Sequence, residues 1–308
     1  MLFYLHYPII VYNLIFFKSN MKSAVITTGG LGTRVLTFTK TNPKAMLPLY
    51  DVSPDNLSEP HLRPLLEIVF ENLYDNGFRK FCFIVGTKTK SSILNHLTPD
   101  SKFISLLKKR NSSVDKRFIL TLNRIYKKFD NCEIHWISQS TPMGFGHALL
   151  SAQKFIKNES FLLHAGDTYI ENYDFLPKLI KLHEKNHAYG TLVLQQKNDV
   201  KGYGLAQFKK INNVNQVISV QEKPKIPKSK QVILPIYAFK PEIFDALNKT
   251  GKGYNNELQV TDAISTLLKW NKKILAFNFN KTKWFDIGTP KNYYNAFNLS
   301  YRRAIRKK

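Results

Sequence analysis

The sequence predicts an α/β fold: a Rossmann-like, mixed but mostly parallel sheet flanked by helices. Three observations carry this. Short apolar, β-branched runs alternate with stretches of helical spacing, as when parallel strands are joined by crossover helices. A glycine-rich turn, Gly29, Gly30 and Gly32, follows the first such run at once. A later buried run, Phe161 to Ala165, ends in Gly166-Asp167. Ligands of open α/β sheets sit beyond the carboxyl ends of strands, which is where that carboxylate falls. With 308 residues, 43% of them hydrophobic, the chain can bury the core of one large domain or two small ones.

Residues 1–20 are apolar enough to raise a signal or a membrane anchor. No Lys or Arg precedes the apolar run, so a signal peptide lacks its basic start. The run is short for a span and is interrupted by His6, Pro8 and Asn13. Met21-Lys22 stands directly before the first strand. The expectation is that translation starts at Met21 and that residues 1–20 are a gene-model extension, with an anchor as the rival reading.

Ser23 to Thr28 reads as a buried strand. Glycines after it let the backbone turn and bring N–H groups close to a ligand. Arg34, Lys40 and Lys44 follow, and no acid falls between Ser23 and Pro48. A glycine loop with three cations suits a phosphate cradle. It is no Walker A loop, because Thr33-Arg34 follows Gly32, and no dinucleotide fingerprint, because Val35 takes the third small position. A plain surface turn is the bland alternative.

Asp51 to Leu62, with Ser53, Pro54, Asp55, Asn56 and Pro60, reads as a loop. Leu65 to Tyr74 has helical spacing and stops at Asn76-Gly77. Lys80 to Val85 is a strand, and Ser91 to Asp130 reads as several helices with a break at Ser112 to Asp115. Glu133 to Ser138 is a strand leading into Gln139-Ser-Thr-Pro-Met-Gly144-Phe-Gly146-His147. His147 reads as a structural histidine opening a helix, and His164 as core. Gly190 to Gln196, Gly202 to Phe208, Val217 to Val220 and Val232 to Phe239 are further strands. A helix starts within Asn256 to Ala263. Trp284 to Pro290 places a second carboxylate, Asp286, before a turn. Pro290 opens a C-terminal helix over 290–308, basic at its end as suits its macrodipole.

The net charge of +24 attracts anions. The basic residues are spread along the chain and no nucleic-acid motif accompanies them, so neither nucleic acid nor membrane is expected as a partner. Cys82 and Cys132 form neither a zinc pattern nor a disulfide framework, which fits a reducing cytoplasm.

Gly-Gly-Leu-Gly-Thr-Arg, Pro43-Lys44 and Met46-Leu47-Pro48, with the ten-residue gap from Arg34 to Lys44 and the order of later motifs, resemble the sugar-1-phosphate nucleotidylyltransferases. The likeness is greatest to bacterial-type UTP–glucose-1-phosphate uridylyltransferases and runs from Met21 to about Tyr301. It implies a nucleotide-diphospho-sugar transferase fold over 21–301, with a nucleotide-binding half at about 21–170 and a sugar-binding half at about 171–290. It implies transfer of a uridylyl group from UTP to glucose 1-phosphate. Arg34, Lys44, Asp167 and Lys223 are then catalytic; Gly29, Gly30, Gly32, Thr33, Gln139 and Gly144 bind nucleotide. Gly204, Glu222 and Lys223 bind the sugar phosphate, and Asp167 with Asp286 holds Mg2+. The helical insert of Ser91 to Asp130 favours UTP over dTTP by the same likeness.

Three departures stand out. Ala45 replaces the family's Glu after the signature lysine, and Thr37 its Pro after Arg-x-Leu. Val52 to Leu62 is inserted before Arg63-Pro64. Ala45 is expected to leave room near the base. A dTTP- or amino-sugar-specific enzyme and a non-catalytic nucleotide-binding paralogue stay open, as does a homo-oligomer.

Overall fold

Apolar side chains alternate across the central strands, and both faces of the sheet are covered. In the strand Ser23–Thr27, Ala24 and Ile26 join the core on one side and Val25 the core on the other. Phe81, Phe83 and Val85 alternate with Cys82 and Ile84 in the same way. Such two-sided burial belongs to parallel sheets in α/β proteins. The computed structural model describes residues 19–30, 32–52 and 60–306, with only backbone for Thr33 and Leu36. Residues 1–18 of the proposed extension lie outside the described residues.

The strands are β1 (Ser23–Thr27), β2 (Pro48–Asp51), β3 (His61–Pro64), β4 (Lys80–Gly86), β5 (Glu133–Gln139), β6 (Phe161–Ala165) and β7 (Thr168–Ile170). They continue as β8 (Gly190–Gln196), β9 (Leu205–Ile211), β10 (Val214–Gln221), β11 (Gln231–Phe239), β12 (Ile274–Asn278) and β13 (Trp284–Asp286). Nine form one sheet in the order β5-β4-β1-β6-β11-β8-β12-β10-β9. β5, β4, β1 and β6 are parallel neighbours, as are β8 and β12. β11 and β10 run against the rest, so the sheet is mixed but mostly parallel in direction. It passes without interruption from the first half of the chain into the second.

The helix Leu65–Asp75 forms as expected, capped at Asn76 with Gly77 at φ +92°. The insert resolves into helices Lys90–Leu97, Ser101–Arg110 and Ser113–Asp130. Its break is a cap: the Asp115 N–H donates to Ser112 Oγ at 3.0 Å. The long loop is shorter than the sequence reading has it, because Asp51 and His61 pair across the β2–β3 hairpin. This preserves the departure's key contact: Arg63 donates to Asp51 Oδ2 at 2.5 Å and to Glu67 Oε1 at 2.8 Å, and also pairs with Glu71. The late helix starts at Val260, within the expected stretch and with Asp262 in its first turn; Asn255 and Asn256 before it adopt φ +57°, outside the helical region. The C-terminal helix, Pro290–Arg306, packs on β2, with Tyr50 against Phe297 and the Tyr293 hydroxyl donating to Pro48 O. Among the described residues no helix is long and apolar enough to cross a membrane. Both cysteines are free thiols.

His164 and His183 are buried in this core. His164 Nδ1 faces Ala165 O and its Nε2 faces the Tyr173 hydroxyl; His183 Nδ1 meets Thr191 Oγ1 at 3.0 Å. Burial pushes both imidazoles from 6.5 down to about 4. A depressed base is protonated first in the unfolded chain, so its contribution is complete above about pH 6.5 and is lost as pH falls towards 4. His183→Leu should therefore reduce the stability lost between about pH 7 and about pH 4.5 by roughly 2 kcal/mol. Urea unfolding at both pH values measures it; equal losses in the variant and the wild type would contradict the buried-neutral assignment.

Candidate active site

The carboxyl ends of β1, β5 and β6 open into one cleft of about 500 Å³. The glycine loop leaves β1 with the Thr28 N–H donating to Ile84 O at 2.7 Å, which anchors it to the neighbouring strand. Gly32 sits at φ +65°, and a Cβ there would collide with Thr39 and crowd the Lys44 stem. Arg34 and Lys44 are thereby presented from short 3-10 turns on one wall.

Two carboxylates face these cations. Asp167 follows β6, and Asp286 ends β13. The two segments are tied by the β7–β13 pairing and by the Ile287 N–H donating to Asp167 O at 3.1 Å. Lys44 Nζ pairs directly with Asp167, and an Arg34 guanidinium nitrogen lies 3.7 Å from Asp286 Oδ2. Burial works against the charge on Lys44, but Asp167 and Asp286 outweigh it and raise its pKa above the ordinary value. Burial and the charge of Asp167 push the Asp286 carboxyl up, against Lys44, Arg34 and the Gly288 N–H, which donates to Asp286 Oδ1 at 2.9 Å. Asp286 also holds the turn after it: Asn292 donates to its backbone carbonyl at 2.9 Å.

At one end of the cleft, Gln139 closes β5 and is 6% exposed. Its Nε2 lies 2.8 Å from His147 Nδ1. Gly144 leads into the helix Phe145–Ser151 at φ +102°, ψ 168°, a region open to glycine alone. At the other end, Glu222 follows β10, with Lys223 Nζ 3.3 Å away and 4.9 Å from the Tyr254 ring centre. Lys223 takes φ +40°, unusual for a side-chain-bearing residue. Gly204 leaves room beside Glu222 Oε2, 3.2 Å from where its Cβ would stand.

The structure thus brings Gly29, Gly30, Gly32, Arg34, Lys44, Gln139, Gly144, Asp167, Gly204, Glu222, Lys223 and Asp286 to one cleft. The side chain of Thr33 lies outside the described residues. Ala45 lines the cleft but is only 1% exposed, its methyl packed into the core, so the expected extra room is not open space. Sequence reasoning missed Tyr203, Trp284 and Gln259 as lining residues. Tyr203 and Trp284 stack edge to face, with Lys197 Nζ 4.1 Å from the Trp284 ring centre. Their only signal was adjacency to Gly204 and Asp286. Among the described residues no group of three or more His, Cys, Asp or Glu gathers as a metal cluster.

The nucleotidyl transferase family profile matches residues 23–302. The chain belongs to that family. It is 31% identical over 282 residues to a provisionally named UTP–glucose-1-phosphate uridylyltransferase of Methanocaldococcus jannaschii, covering 90% of this chain and 92% of that protein. It is 31% identical to UTP–glucose-1-phosphate uridylyltransferase 2 of Streptococcus pyogenes over 280 residues, 88% of this chain and 87% of that one. The solved UDP-glucose pyrophosphorylase in complex with UDP-glucose superposes with a TM-score of 0.75 at 26% identity, over 92% of this chain and 99% of that one. That structure shares the fold predicted from the sequence, a large mixed sheet flanked by helices.

The glycine geometry yields a contrast. An added Cβ at Gly144 would stand 2.6 Å from Leu258 O, whereas at Gly30 it would meet nothing within 4 Å. Gly144→Ala should cost about 1–3 kcal/mol of stability, and Gly30→Ala less than about 0.5 kcal/mol. Thermal unfolding of both variants checks this; equal shifts would contradict it.

Proposed function

We propose that this nucleotidyl transferase moves a uridylyl group from UTP to glucose 1-phosphate, giving UDP-glucose and pyrophosphate. The observation that carries the reading is the cleft's layout. A cation-balanced carboxylate pair stands between a glycine loop with Gln139–Gly144 and the Glu222–Lys223 end. The names of its relatives supply the substrates.

The chemistry joins two anions. A glucose 1-phosphate oxygen attacks the α-phosphorus of UTP, and the bond to the bridging oxygen of pyrophosphate breaks. The attacking oxygen is already ionised near neutral pH, so no general base is required. Charge neutralisation and in-line positioning then carry the rate. Lys44 stabilises the charge developing around the α-phosphate. Arg34, on the loop, grips the leaving pyrophosphate, a planar fork suited to bidentate contact. Lys223 holds the sugar phosphate and Glu222 accepts from the sugar hydroxyls, with Gly204 leaving space. Gln139 and Gly144 receive the uracil, and Gly29, Gly30, Gly32 and Thr33 offer backbone N–H groups to the phosphates.

The donor set at Asp167 and Asp286 fits a magnesium ion. Two carboxylates are hard oxygen ligands, and burial together with the charge of Asp167 raises the pKa of Asp286, so added positive charge would favour the ionised pair. When bound, the ion supplies Lewis-acid neutralisation of the phosphate oxygens. Lys44 pairs with Asp167, and a cation held by Asp167 and Asp286 would leave Lys44 free for the α-phosphate.

Lys223→Ala tests the division of labour. Losing one charge-assisted hydrogen bond costs about 1.5–3 kcal/mol, so kcat/KM for glucose 1-phosphate should fall roughly 10- to 150-fold while UTP affinity stays nearly constant. Steady-state kinetics in each substrate measure both; equal damage to the two would show the role to be wrong.

A further inference from the structure

We propose that Thr168 is a positioning residue of the cation site: its hydroxyl holds the Asp286 carboxylate turned towards the bound ion. This rests on the reading of Asp167 and Asp286 as the pair that holds magnesium.

Thr168 stands between the two carboxylates. It follows Asp167 in the chain and opens β7, where it lies directly opposite Asp286 of β13. Residues opposite each other in an antiparallel pair point to the same face, with Cβ atoms about 4.5–5.5 Å apart. The alternation agrees. Thr168 and Asp286 line the cleft, whereas Tyr169 and Phe285, the next pair, pack into the core.

The hydroxyl has nothing to bond. Thr168 is wholly buried, and its Oγ1 has no hydrogen-bond partner among the described residues. A hydroxyl left unpaired inside the protein has lost its bonds to water without return. Asp286 is short of a donor in the same place. Its Oδ1 accepts from the Gly288 N–H, while Oδ2 faces Arg34 at 3.7 Å, too far for a hydrogen bond. A donor without an acceptor thus stands across the strand pair from an oxygen without a close donor.

In the proposed reaction Arg34 turns to the leaving pyrophosphate, and a cation takes its place beside Asp286. A carboxylate oxygen has room for both partners: it can bind an ion with one lone pair and accept from Thr168 with the other. Hydrogen bonds of this kind fix the direction of a metal ligand, and losing one typically costs 10- to 100-fold in metal affinity. The Thr168 hydroxyl is unpaired while the site waits and paired once it is loaded. Its contribution therefore appears in cation affinity and not in the stability of the empty fold.

The test uses the full chain, Mn2+ as a paramagnetic substitute for Mg2+, and no nucleotide. Electron paramagnetic resonance of the free ion gives the dissociation constant, and thermal unfolding without metal gives Tm. Thr168→Val replaces the hydroxyl with a methyl of the same shape. Its Kd for Mn2+ should rise roughly tenfold or more, while its metal-free Tm equals or exceeds that of wild type. Thr168→Ser keeps the hydroxyl and should bind Mn2+ within about threefold of wild type, less than the loss of such a bond, although the missing methyl lowers its Tm. Wild-type affinity in Thr168→Val overturns the proposal. So does a serine variant as weak as the valine one. A valine variant that unfolds below wild type, or fails to fold, also overturns it, because the hydroxyl would then have a structural partner. Asp286→Asn separates the layers. If it abolishes Mn2+ binding and Thr168→Val leaves it intact, only the role of Thr168 falls. If it leaves binding intact, or the wild type takes up no Mn2+, the pair holds no ion and both readings fall.

Discussion

Two carboxylates brought together in a partly buried cleft repel each other, and that repulsion governs the rest of the site. Asp167 and Asp286 come from segments more than a hundred residues apart, locked by the β7–β13 pairing and the Ile287–Asp167 hydrogen bond. Burial and the charge of Asp167 raise the pKa of Asp286, and nearby cations oppose them. Lys44 and Arg34 are those cations, each from the segment following the glycine loop. The two carboxylates thus each face a cation in the cleft.

A second ionic cluster, around Arg63, ties elements of the first half of the chain together. The β2–β3 hairpin, the helix Leu65–Asp75 and the insert are joined through Arg63, whose guanidinium pairs with Asp51, Glu67 and Glu71, while Lys128 and Arg124 reach Glu71 from the insert. Burial opposes the ionised forms of Glu67 and Glu71; pairing, with His96 and Arg63 for the former and Arg63, Arg124 and Lys128 for the latter, lowers both pKa values all the same. Removing one partner of such a network leaves a buried charge uncompensated, the costly way to break it. The eleven-residue insertion before Arg63 leaves this clamp whole, because the hairpin brings Asp51 back to Arg63.

Much of this was readable in the chain. The buried strands announce themselves by unbroken apolar runs, and Asp167 by its place after one of them. The glycine loop is legible as a turn because three glycines follow the first strand at once. Other features were not readable. The left-handed Asn255 and Asn256 ahead of the helix at Val260 are revealed by no periodicity. The pairing of Gln139 with His147 links a strand end to a helix across a turn whose path is set by Gly144 at positive φ. Ala45 looked like added room, but its burial depends on how the 3-10 turn Lys44–Met46 docks on the core. Tyr203, before β9 of the large sheet, meets Trp284 of β13, which pairs with β7 in a separate small sheet, a long-range consequence of topology.

The account stands on one claim, that this cleft joins UTP to glucose 1-phosphate. The most direct measurement is pyrophosphate release by the purified chain with Mg2+, across a matrix of nucleoside triphosphates and sugar 1-phosphates. The account predicts the highest specificity constant for UTP with glucose 1-phosphate, with ATP and GTP poor because a purine overfills the Gln139–Gly144 end. A purine triphosphate as best donor, another sugar phosphate preferred over glucose 1-phosphate, or no pyrophosphate from any pair would contradict it.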